Sequence, residues 1–393
     1  MKIEQVDFFY LSMPVVTTAA DGSQDALLVR VVVGGHAGWG ECEAAPLPSI
    51  AAYVCPMSHG VCRPVSDSVL GETLNDTADI RRIASNVAYN SMDLLQAMHT
   101  WSGIEIALWD ALGKARSAPV WNLLGYKASH PKTPYASVLF GEDPAETLSR
   151  AKNIRADGFH AAKFGWGPFG TDLAQDVAHI EAAREGLGED GILLIDAGQI
   201  FGDDDVKAAR RIDAMERNLV TFFEEPFHGS AYGAYGRLAK NLRRVKLAGG
   251  EAAHNRYMAE HLIDFGGVGY IQVDCGRIGG IGPAYDVAKY AQPRGVTYIN
   301  HTFTSNLALS ASLQPFAGLE DHSICEYPTS LQPLAIELTS NHLVRDANGK
   351  IGAPNAPGLG VDISPAALDK YRVEVEIRVN GKPLFASPAR RKP

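Results

Sequence analysis

The chain has 393 residues and the composition of an ordinary globular protein, with 46% hydrophobic and 21% charged residues. That length accommodates a barrel of about 250 residues with about 140 residues to spare, which predicts two domains. A formal net charge of −9 argues against a nucleic-acid partner, and the basic residues Arg390, Arg391 and Lys392 are interpreted as a solvated end.

Cysteine usage and hydropathy indicate the cellular compartment. The five cysteines are scattered and form no CxxC pair, which is typical of a reducing environment. They are Cys42, Cys55, Cys62, Cys275 and Cys325. The first residues carry acidic side chains within their apolar stretch, and no later run reaches about 18 apolar residues. We therefore expect a cytoplasmic protein with no membrane association.

The N-terminal third predicts a small sheet followed by helices. Residues 3 to 11 and 25 to 33 read as two β-strands of an antiparallel sheet. Several prolines between residues 43 and 64 predict a long loop, a feature that commonly serves as a lid. Helical periodicity begins near Asp79. The strongest predicted helix is SGIEIALWDALGKARS, with an apolar stripe formed by Ile104, Leu108, Ala111 and Leu112.

From Pro134 onward, short apolar runs alternate with amphipathic helices, which predicts repeated βα units. Near residue 330 the pattern changes to short segments with turn signals. The alternating stretch RVEVEIRV before Asn380-Gly381 predicts a hairpin that packs back on the N-terminal sheet. We therefore predict an α/β fold, a modified (β/α)8 TIM barrel with an α+β capping domain made from both chain ends. The expected division is 1–130 for the N-terminal cap, 131–330 for the barrel and 331–393 for the segment completing the cap.

Charged residues recur where the apolar runs of the barrel end, at intervals of 23 to 28 residues. This is the repeat length of a (β/α)8 barrel, whose parallel strands bring their carboxyl ends to one rim. We therefore expect these side chains to meet at one mouth. They are Asp196, Glu224, Glu225, Glu251, Asp274, His301 and Glu326.

Three of these residues predict a metal site. An Asp or Glu after a strand is often only the N-cap of the next helix, but a run of acids on three successive strands exceeds what capping requires. Clustered carboxylates repel one another, and a bound cation relieves that repulsion. Ligands that are all oxygen favour Mg2+ over Zn2+. Asp196, Glu224 and Glu251 are the predicted Mg2+ ligands.

Several motifs in this order resemble the enolase superfamily, and within it the mandelate racemase-like group of acid-sugar dehydratases and racemases. The motifs are ALWDALGK, PVWNLLG, the lysine in AAKFGW, the acidic triad, DCGRIGG, NHTFTSNL and APNAPGLGVDI. The resemblance covers nearly the whole chain. It implies a capping domain over a modified barrel, Mg2+ at the barrel mouth, a homo-oligomer, and an Asp-His dyad formed by Asp274 and His301.

The residue chemistry predicts proton abstraction next to a carboxylate. His301 suits the base because its ordinary pKa is near neutrality, and Asp274 would fix its tautomer. This segment resembles the KxK pattern of related racemases, but its two lysine positions are Lys163 and Gly165 here. The second lysine, and with it a second base, is therefore missing. Lys163 is therefore predicted to contact the substrate carboxylate as a point charge. Glu326 occupies the position of the family residue that hydrogen-bonds the same carboxylate.

Further residues near the site are predicted from less specific sequence signals. Trp166 is a candidate to line the substrate space, although a simple packing role is an equal alternative. His254, Asn255 and Asn306 are candidates to bind sugar hydroxyls, as is His228. Glu225 is predicted to support the metal indirectly.

These features predict a Mg2+-dependent dehydratase, a hydro-lyase, that converts a sugar acid (an aldonate or aldarate) into a 2-keto-3-deoxy acid. One alternative is a racemase or epimerase with a second base from elsewhere. The other is a sugar-acid-binding protein without catalytic activity. The expected partner in each case is a small carboxylate.

Overall fold

The structure is a computed structural model that describes residues 1–389. Arg390, Arg391 and Lys392 lie outside the described residues, so the interpretation of this end stays a prediction. The N-terminal sheet is antiparallel in the order β1-β2-β3. Its strands are β1 (Ile3–Ser12), β2 (Asp25–Val33) and β3 (His36–Cys42). The two strands predicted from the sequence are thereby confirmed.

Four helices follow this sheet. They are α1 (Pro46–Val54), α2 (Thr77–Asn90), α3 (Ala97–Arg116) and α4 (Val120–Leu123). Of these, α1 and α3 pack against the sheet. The predicted helix corresponds to α3, and its apolar stripe is buried. Burial extends around α3, because one side packs against β2 and β3 while another contacts the barrel helix α11 (Ile281–Ala291). This helix therefore joins the cap to the barrel.

The proline-rich segment from 43 to 64 was predicted to be a long loop. In the structure it is only partly a loop, because α1 occupies part of it. Proline is well tolerated in the first turn of a helix, where a missing amide hydrogen costs nothing, and Pro46 is at that position. The residues before it, Ala44 and Ala45, adopt left-handed backbone angles with φ of 57° and 51°. This tight turn brings the cap chain over the barrel mouth.

Eight parallel strands form the barrel in the order β10-β9-β8-β7-β6-β5-β4-β11. This confirms the predicted fold class. The strands are β4 (Thr133–Leu139), β5 (Ala161–Gly165), β6 (Ile192–Asp196), β7 (Val220–Glu224), β8 (Lys246–Gly249), β9 (Tyr270–Asp274), β10 (Thr297–His301) and β11 (Ile324–Pro328).

Helices on the outside of the barrel connect these strands. Besides α11, they are α5 (Pro144–Ala156), α6 (Leu173–Leu187), α7 (Asp205–Ala209), α8 (Ile212–Arg217), α9 (Tyr232–Ala239), α10 (Arg256–Gly266) and α12 (Asn306–Leu313). Several begin with a side-chain cap that accepts backbone amide hydrogens; Asp143, Asp172 and Ser305 are examples. Such caps fix where each strand-to-helix loop ends.

Alternation along the barrel strands explains why polar side chains meet inside the mouth. A buried apolar layer at the centre of the barrel includes Leu194, Phe222 and Ile299. Side chains two residues further along a strand point to the same face, one layer closer to the carboxyl end. Asp196, Glu224 and His301 therefore project into the barrel above this apolar layer.

The C-terminal segment only partly follows the prediction. Beyond α13 (Pro333–Glu337) and α14 (Pro365–Lys370), strands β12 (Glu376–Val379) and β13 (Lys382–Ala386) form the expected hairpin. That hairpin is a separate two-stranded sheet. The residues just before it adjoin the N-terminal sheet, because the Val373 amide donates to the Tyr10 carbonyl oxygen and the Ser12 amide to that of Tyr371.

All five cysteines are free thiols. Within residues 1–389, no helix combines the length and the apolar character that a membrane span requires.

Candidate active site

The charged residues predicted from the sequence meet at the carboxyl end of the barrel. Backbone pairing aligns Gly165, Asp196 and Glu224 across β5, β6 and β7. It also aligns Asp274 with His301 across β9 and β10. Because neighbouring strands are about 4.8 Å apart, aligned side chains on one face come into direct contact.

Lys163 is at the centre of this group and contacts three carboxylates. Its Nζ is 2.8 Å from Glu224 Oε1, 3.0 Å from Glu326 Oε1 and 3.6 Å from Asp196 Oδ2. Burial alone would lower the pKa of Lys163, but the negative charges of Glu224 and Glu326 outweigh that effect and raise the pKa well above 10.5. Lys163 is therefore held as an ammonium ion and cannot accept a proton in this arrangement.

The carboxylates around Lys163 repel one another. Burial raises the pKa of Asp196 to about 6 against the opposing charge of Lys163, and Glu251 adds to the rise. Burial also raises the pKa of Glu224 well above 4.5, with Asp196 and Glu251 contributing. Oε2 of Glu224 is buried without a hydrogen-bond partner. Lys163 alone therefore does not offset the burial and mutual repulsion of Asp196 and Glu224.

The donor atoms fit a hard divalent cation, although their present arrangement does not form its site. Among residues 1–389, no group of three or more His, Cys, Asp or Glu side chains is arranged to hold a metal ion. The reason is visible in the contacts: Lys163 lies against Glu224 and Asp196, while Glu251 is turned toward His301 and Arg277. Oxygen-only donors and the unpartnered Glu224 oxygen match the preference of Mg2+. The predicted triad therefore stays a proposal.

His301 and Asp274 form a close pair. Nδ1 of His301 is 2.6 Å from Asp274 Oδ2, and Asp274 Oδ1 accepts the Gly276 amide hydrogen at 2.6 Å. Nε2 of His301 is 3.1 Å from Glu251 Oε2. Burial alone would lower the pKa of His301, but Glu251 and the other surrounding carboxylates raise it to about 10. The histidine is thereby oriented by Asp274, and its protonated form is favoured while Glu251 lies against Nε2.

Glu326 is fixed by a residue that sequence reasoning missed. Strands β10 and β11 are not directly paired, and the side chain of Asn300 bridges them: the Glu326 amide donates to Asn300 Oδ1 at 2.9 Å, and Asn300 Nδ2 donates to the Glu326 carbonyl oxygen at 3.3 Å. The Thr302 amide then donates to Glu326 Oε2 at 2.8 Å. Asn300 thus sets the spacing between His301 and Glu326.

Arg277 and Glu43 were also missed. Arg277 Nη2 is 3.2 Å from Glu43 Oε1, and its Nη1 is 3.3 Å from Glu251 Oε1. Glu43 belongs to the cap, so this arginine connects the cap to the barrel mouth. The only sequence signal was that Arg277 lies in the loop directly after Asp274.

A cavity of about 400 Å3 opens above these groups, lined by Lys163, Asp196, Glu251, His301 and Glu326 together with cap residues. Trp166 is among the residues that line this cavity and is 42% exposed. Its backbone is left-handed, with φ of 56°. The indole lies against Gly198, where an added Cβ would come within 2.7 Å of the ring. The glycine therefore lets the ring pack flat on bare backbone beside the cavity.

The structure gives the other predicted substrate contacts different neighbours. Asn255 caps α10 by accepting the Met258 amide hydrogen, and Asn306 Oδ1 accepts that of Leu343. The His254 ring contacts the His99 ring. None of these three residues is among those lining the cavity.

His228 and Glu225 lie on the segment that follows β7. His228 Nδ1 accepts the Ser230 amide hydrogen, and His228 is not part of the cavity lining. Glu225 is buried and accepts a hydrogen bond from Gln199 at 2.6 Å, with its Oε1 unpartnered. Burial and the nearby Glu251 raise the pKa of Glu225 to about 8.

Comparison with known proteins identifies the family. Residues 8–125 match the mandelate racemase / muconate lactonizing enzyme N-terminal domain, and residues 146–367 match the enolase C-terminal domain-like family. A crystal structure from Rhodobacter sphaeroides, described as a predicted mandelate racemase, is 63% identical with a TM-score of 0.96, covering 99% of this chain and all of that one.

Among characterised relatives, D-galactarolactone cycloisomerase of Agrobacterium fabrum is 29% identical, over 86% of this chain and 89% of its own. D-galactonate dehydratase of Ralstonia pickettii is 28% identical, over 85% and 87%. Together with the barrel, its cap and the acidic mouth, the two domain matches assign this chain to the enolase superfamily, in the mandelate racemase / muconate lactonizing enzyme family.

Proposed function

We propose that this protein is a Mg2+-dependent sugar-acid dehydratase in which His301 is the single catalytic base. The observation that carries the proposal is the asymmetry of the mouth. One side holds a histidine oriented by Asp274, whereas the other holds Lys163 as an ammonium ion in contact with Glu224 and Glu326. A site with one base can remove an α-proton and then assist loss of a β-hydroxyl, and needs no second base for that outcome.

The relatives support this chemistry. The D-galactonate dehydratase and the D-galactarolactone cycloisomerase named above are enzymes of sugar acids or their lactones. Each identity is below 30%, so the reaction and the sugar acid of this chain rest on its own residues.

Asp196, Glu224 and Glu251 would hold the Mg2+ ion. When bound, the ion would offset the charge of these carboxylates and stabilise the negative charge that develops on the substrate carboxylate during proton removal. Lys163 and Glu326, whose charged atoms are 3.0 Å apart, would contact the same substrate group. Lys163 would contribute positive charge to that contact.

His301 would take the α-proton on Nε2, which Glu251 would leave free on turning to hold the metal ion, since Nδ1 is occupied by Asp274. The C–H bond breaks and its electron pair enters the bond to the carboxylate carbon. That electron pair then forms the C2–C3 double bond while the bond between C3 and the β-hydroxyl breaks. The proton on His301 converts the departing hydroxyl to water. The enol product then tautomerises to a 2-keto-3-deoxy acid. This sequence requires the α-hydrogen and the hydroxyl on one face.

The racemase alternative requires a base on the face opposite His301. Gly165 offers none, and the structure explains why no longer side chain is accommodated there. A Cβ at position 165 would come within 2.7 Å of Asp196 Cβ and 3.1 Å of its Cγ. The space that a second lysine needs is therefore filled by the proposed metal ligand itself.

Gly165→Ala is expected to weaken Mg2+ binding and to lower kcat/KM by about 100-fold, because a ligand displaced by even 1 Å misaligns the reacting groups. Calorimetric titration with Mg2+ and steady-state kinetics measure the two effects. The matched control is Gly60→Ala, where an added Cβ meets nothing within 4 Å. Wild-type Mg2+ affinity in the Gly165 variant would contradict the assignment of Asp196 as a ligand.

The proposed function is tested by incubating the purified protein and Mg2+ with a library of sugar acids in D2O. Formation of a 2-keto-3-deoxy acid carrying deuterium at C3 is expected for one acid or a small related set. Deuterium at C2 without loss of water would mean racemisation instead. Binding without exchange or turnover across the library would favour the non-catalytic alternative, and either result would overturn the proposal.

A further inference from the structure

We propose that the substrate carries one carboxylate only, so that the site accepts sugar monoacids and discriminates against the corresponding diacids. This inference deepens the proposed function, and it rests on that function for the position of the reacting carboxylate beside Lys163 and Glu326.

Within residues 1–389, each cationic side chain that lines the cavity already has a carboxylate partner. These side chains are Lys163, His301 and Arg277. Lys163 and His301 belong to the reacting end. Arg277 is bonded to Glu43 and Glu251, both within 3.3 Å. Arg277 would keep its contact with Glu43 when Glu251 holds Mg2+, so none of the three is free to meet a second anionic group.

The lining beyond the strand ends is neutral or acidic. Leu139 ends β4, while Trp166 and Phe303 follow β5 and β10, and all three contribute apolar surface. The cap contributes Asp21 close to this surface. Its carboxylate is fixed in place, because Oδ1 accepts the Ser23 amide hydrogen and Oδ2 accepts a hydrogen bond from Gln332 Nε2 at 2.9 Å.

These surroundings disfavour a second carboxylate on physical grounds. A diacid extending away from Lys163 would bring negative charge toward Asp21 and Glu43 and against the apolar side chains. Removing a carboxylate from water without giving it a partner has a large free-energy cost, whereas removing a neutral hydroxymethyl group from water has a small one. The indole face of Trp166 suits the C–H groups of a neutral polyol chain, because aromatic surface is apolar. We therefore expect at least about a 100-fold preference for the monoacid.

The test compares an aldonate with the aldarate that differs only at C6, using the galactonate and galactarate pair and the gluconate and glucarate pair. For each pair, kcat/KM is measured with the Mg2+-loaded protein, and affinity is measured by calorimetry. Two variants accompany the wild type. Leu139→Arg adds a cation to the neutral part of the lining, and Leu139→Gln is its uncharged polar control. We expect Leu139→Arg to shift the ratio toward the diacid by about tenfold or more, and Leu139→Gln to leave it unchanged.

The outcomes separate this inference from the proposed function. A monoacid that binds more tightly than its diacid but is not dehydrated would leave this inference standing and overturn the dehydratase. A diacid processed as well as or better than its monoacid would overturn this inference alone. Failure of every monoacid to bind would overturn it too, as would an equal response of the ratio to Leu139→Arg and Leu139→Gln.

Discussion

His301→Asn is expected to abolish dehydration, lowering kcat by about 10^3-fold or more, because the variant has no group that can accept the α-proton. Asparagine is the informative replacement, since its side-chain NH2 group can still donate to Asp274, which His301 Nδ1 contacts at 2.6 Å. The loss would then report the proton acceptor and leave the surrounding packing largely intact. The measurement is steady-state kinetics on the acid identified by the library, with α-proton exchange in D2O followed in parallel.

Exchange at the α-position should disappear together with dehydration, because both depend on the same proton transfer. Mg2+ affinity should be retained, since asparagine leaves all three proposed carboxylate ligands in place. His36→Asn, at an exposed position of β3, is the matched control and should retain full activity. Exchange continuing at the wild-type rate would assign the base role to another group.

The sequence was sufficient to predict which residues at the strand ends meet at the barrel mouth. The repeat length implied parallel strands, and parallel strands bring their ends together regardless of distance along the chain. Alternation then determined which face each side chain occupies, as Leu194 with Asp196 and Ile299 with His301 illustrate. Both features are properties of the backbone, so they can be read from periodicity alone.

Contacts between distant segments could not be predicted in this way. Glu43 and Arg277 are 234 residues apart, and nothing local to either residue indicates the other. Asn300 precedes a catalytic candidate, yet its role depends on a gap between β10 and β11 that is not visible in the hydrophobic pattern. Such contacts depend on how the cap and the barrel pack, which periodicity does not specify.

Helix N-termini account for two local features that the sequence interpretation did not include. Asn255 is a candidate substrate contact, and in the structure its side chain also caps the helix that begins beside it. The loop predicted between residues 43 and 64 contains α1 for a related reason, since Pro46 starts a helix. In both cases the requirements of a helix N-terminus determined the outcome.

Glu251→Gln is expected to weaken Mg2+ binding by at least about tenfold and to lower activity with it, because the substitution removes one negative charge and one ligand oxygen while preserving size. In the structure this carboxylate has two cationic neighbours, His301 at 3.1 Å and Arg277 at 3.3 Å. Burial alone would raise the pKa of Glu251, but those neighbours lower it to about 2. The side chain is therefore ionised at neutral pH, as a ligand must be.

Calorimetric titration with Mg2+ would measure the affinity, and raising the Mg2+ concentration during the kinetic assay would separate two roles for Glu251. If it acts as a ligand, excess Mg2+ should restore part of the lost activity. If it acts only by orienting His301, affinity should be unchanged and excess Mg2+ should restore nothing, which would remove Glu251 from the proposed triad. Glu185→Gln, at an exposed position of α6, changes the net charge equally and should alter neither quantity. A loss of Mg2+ affinity in Glu251→Gln that is absent from Glu185→Gln would therefore come from the barrel mouth and not from the overall charge of the protein.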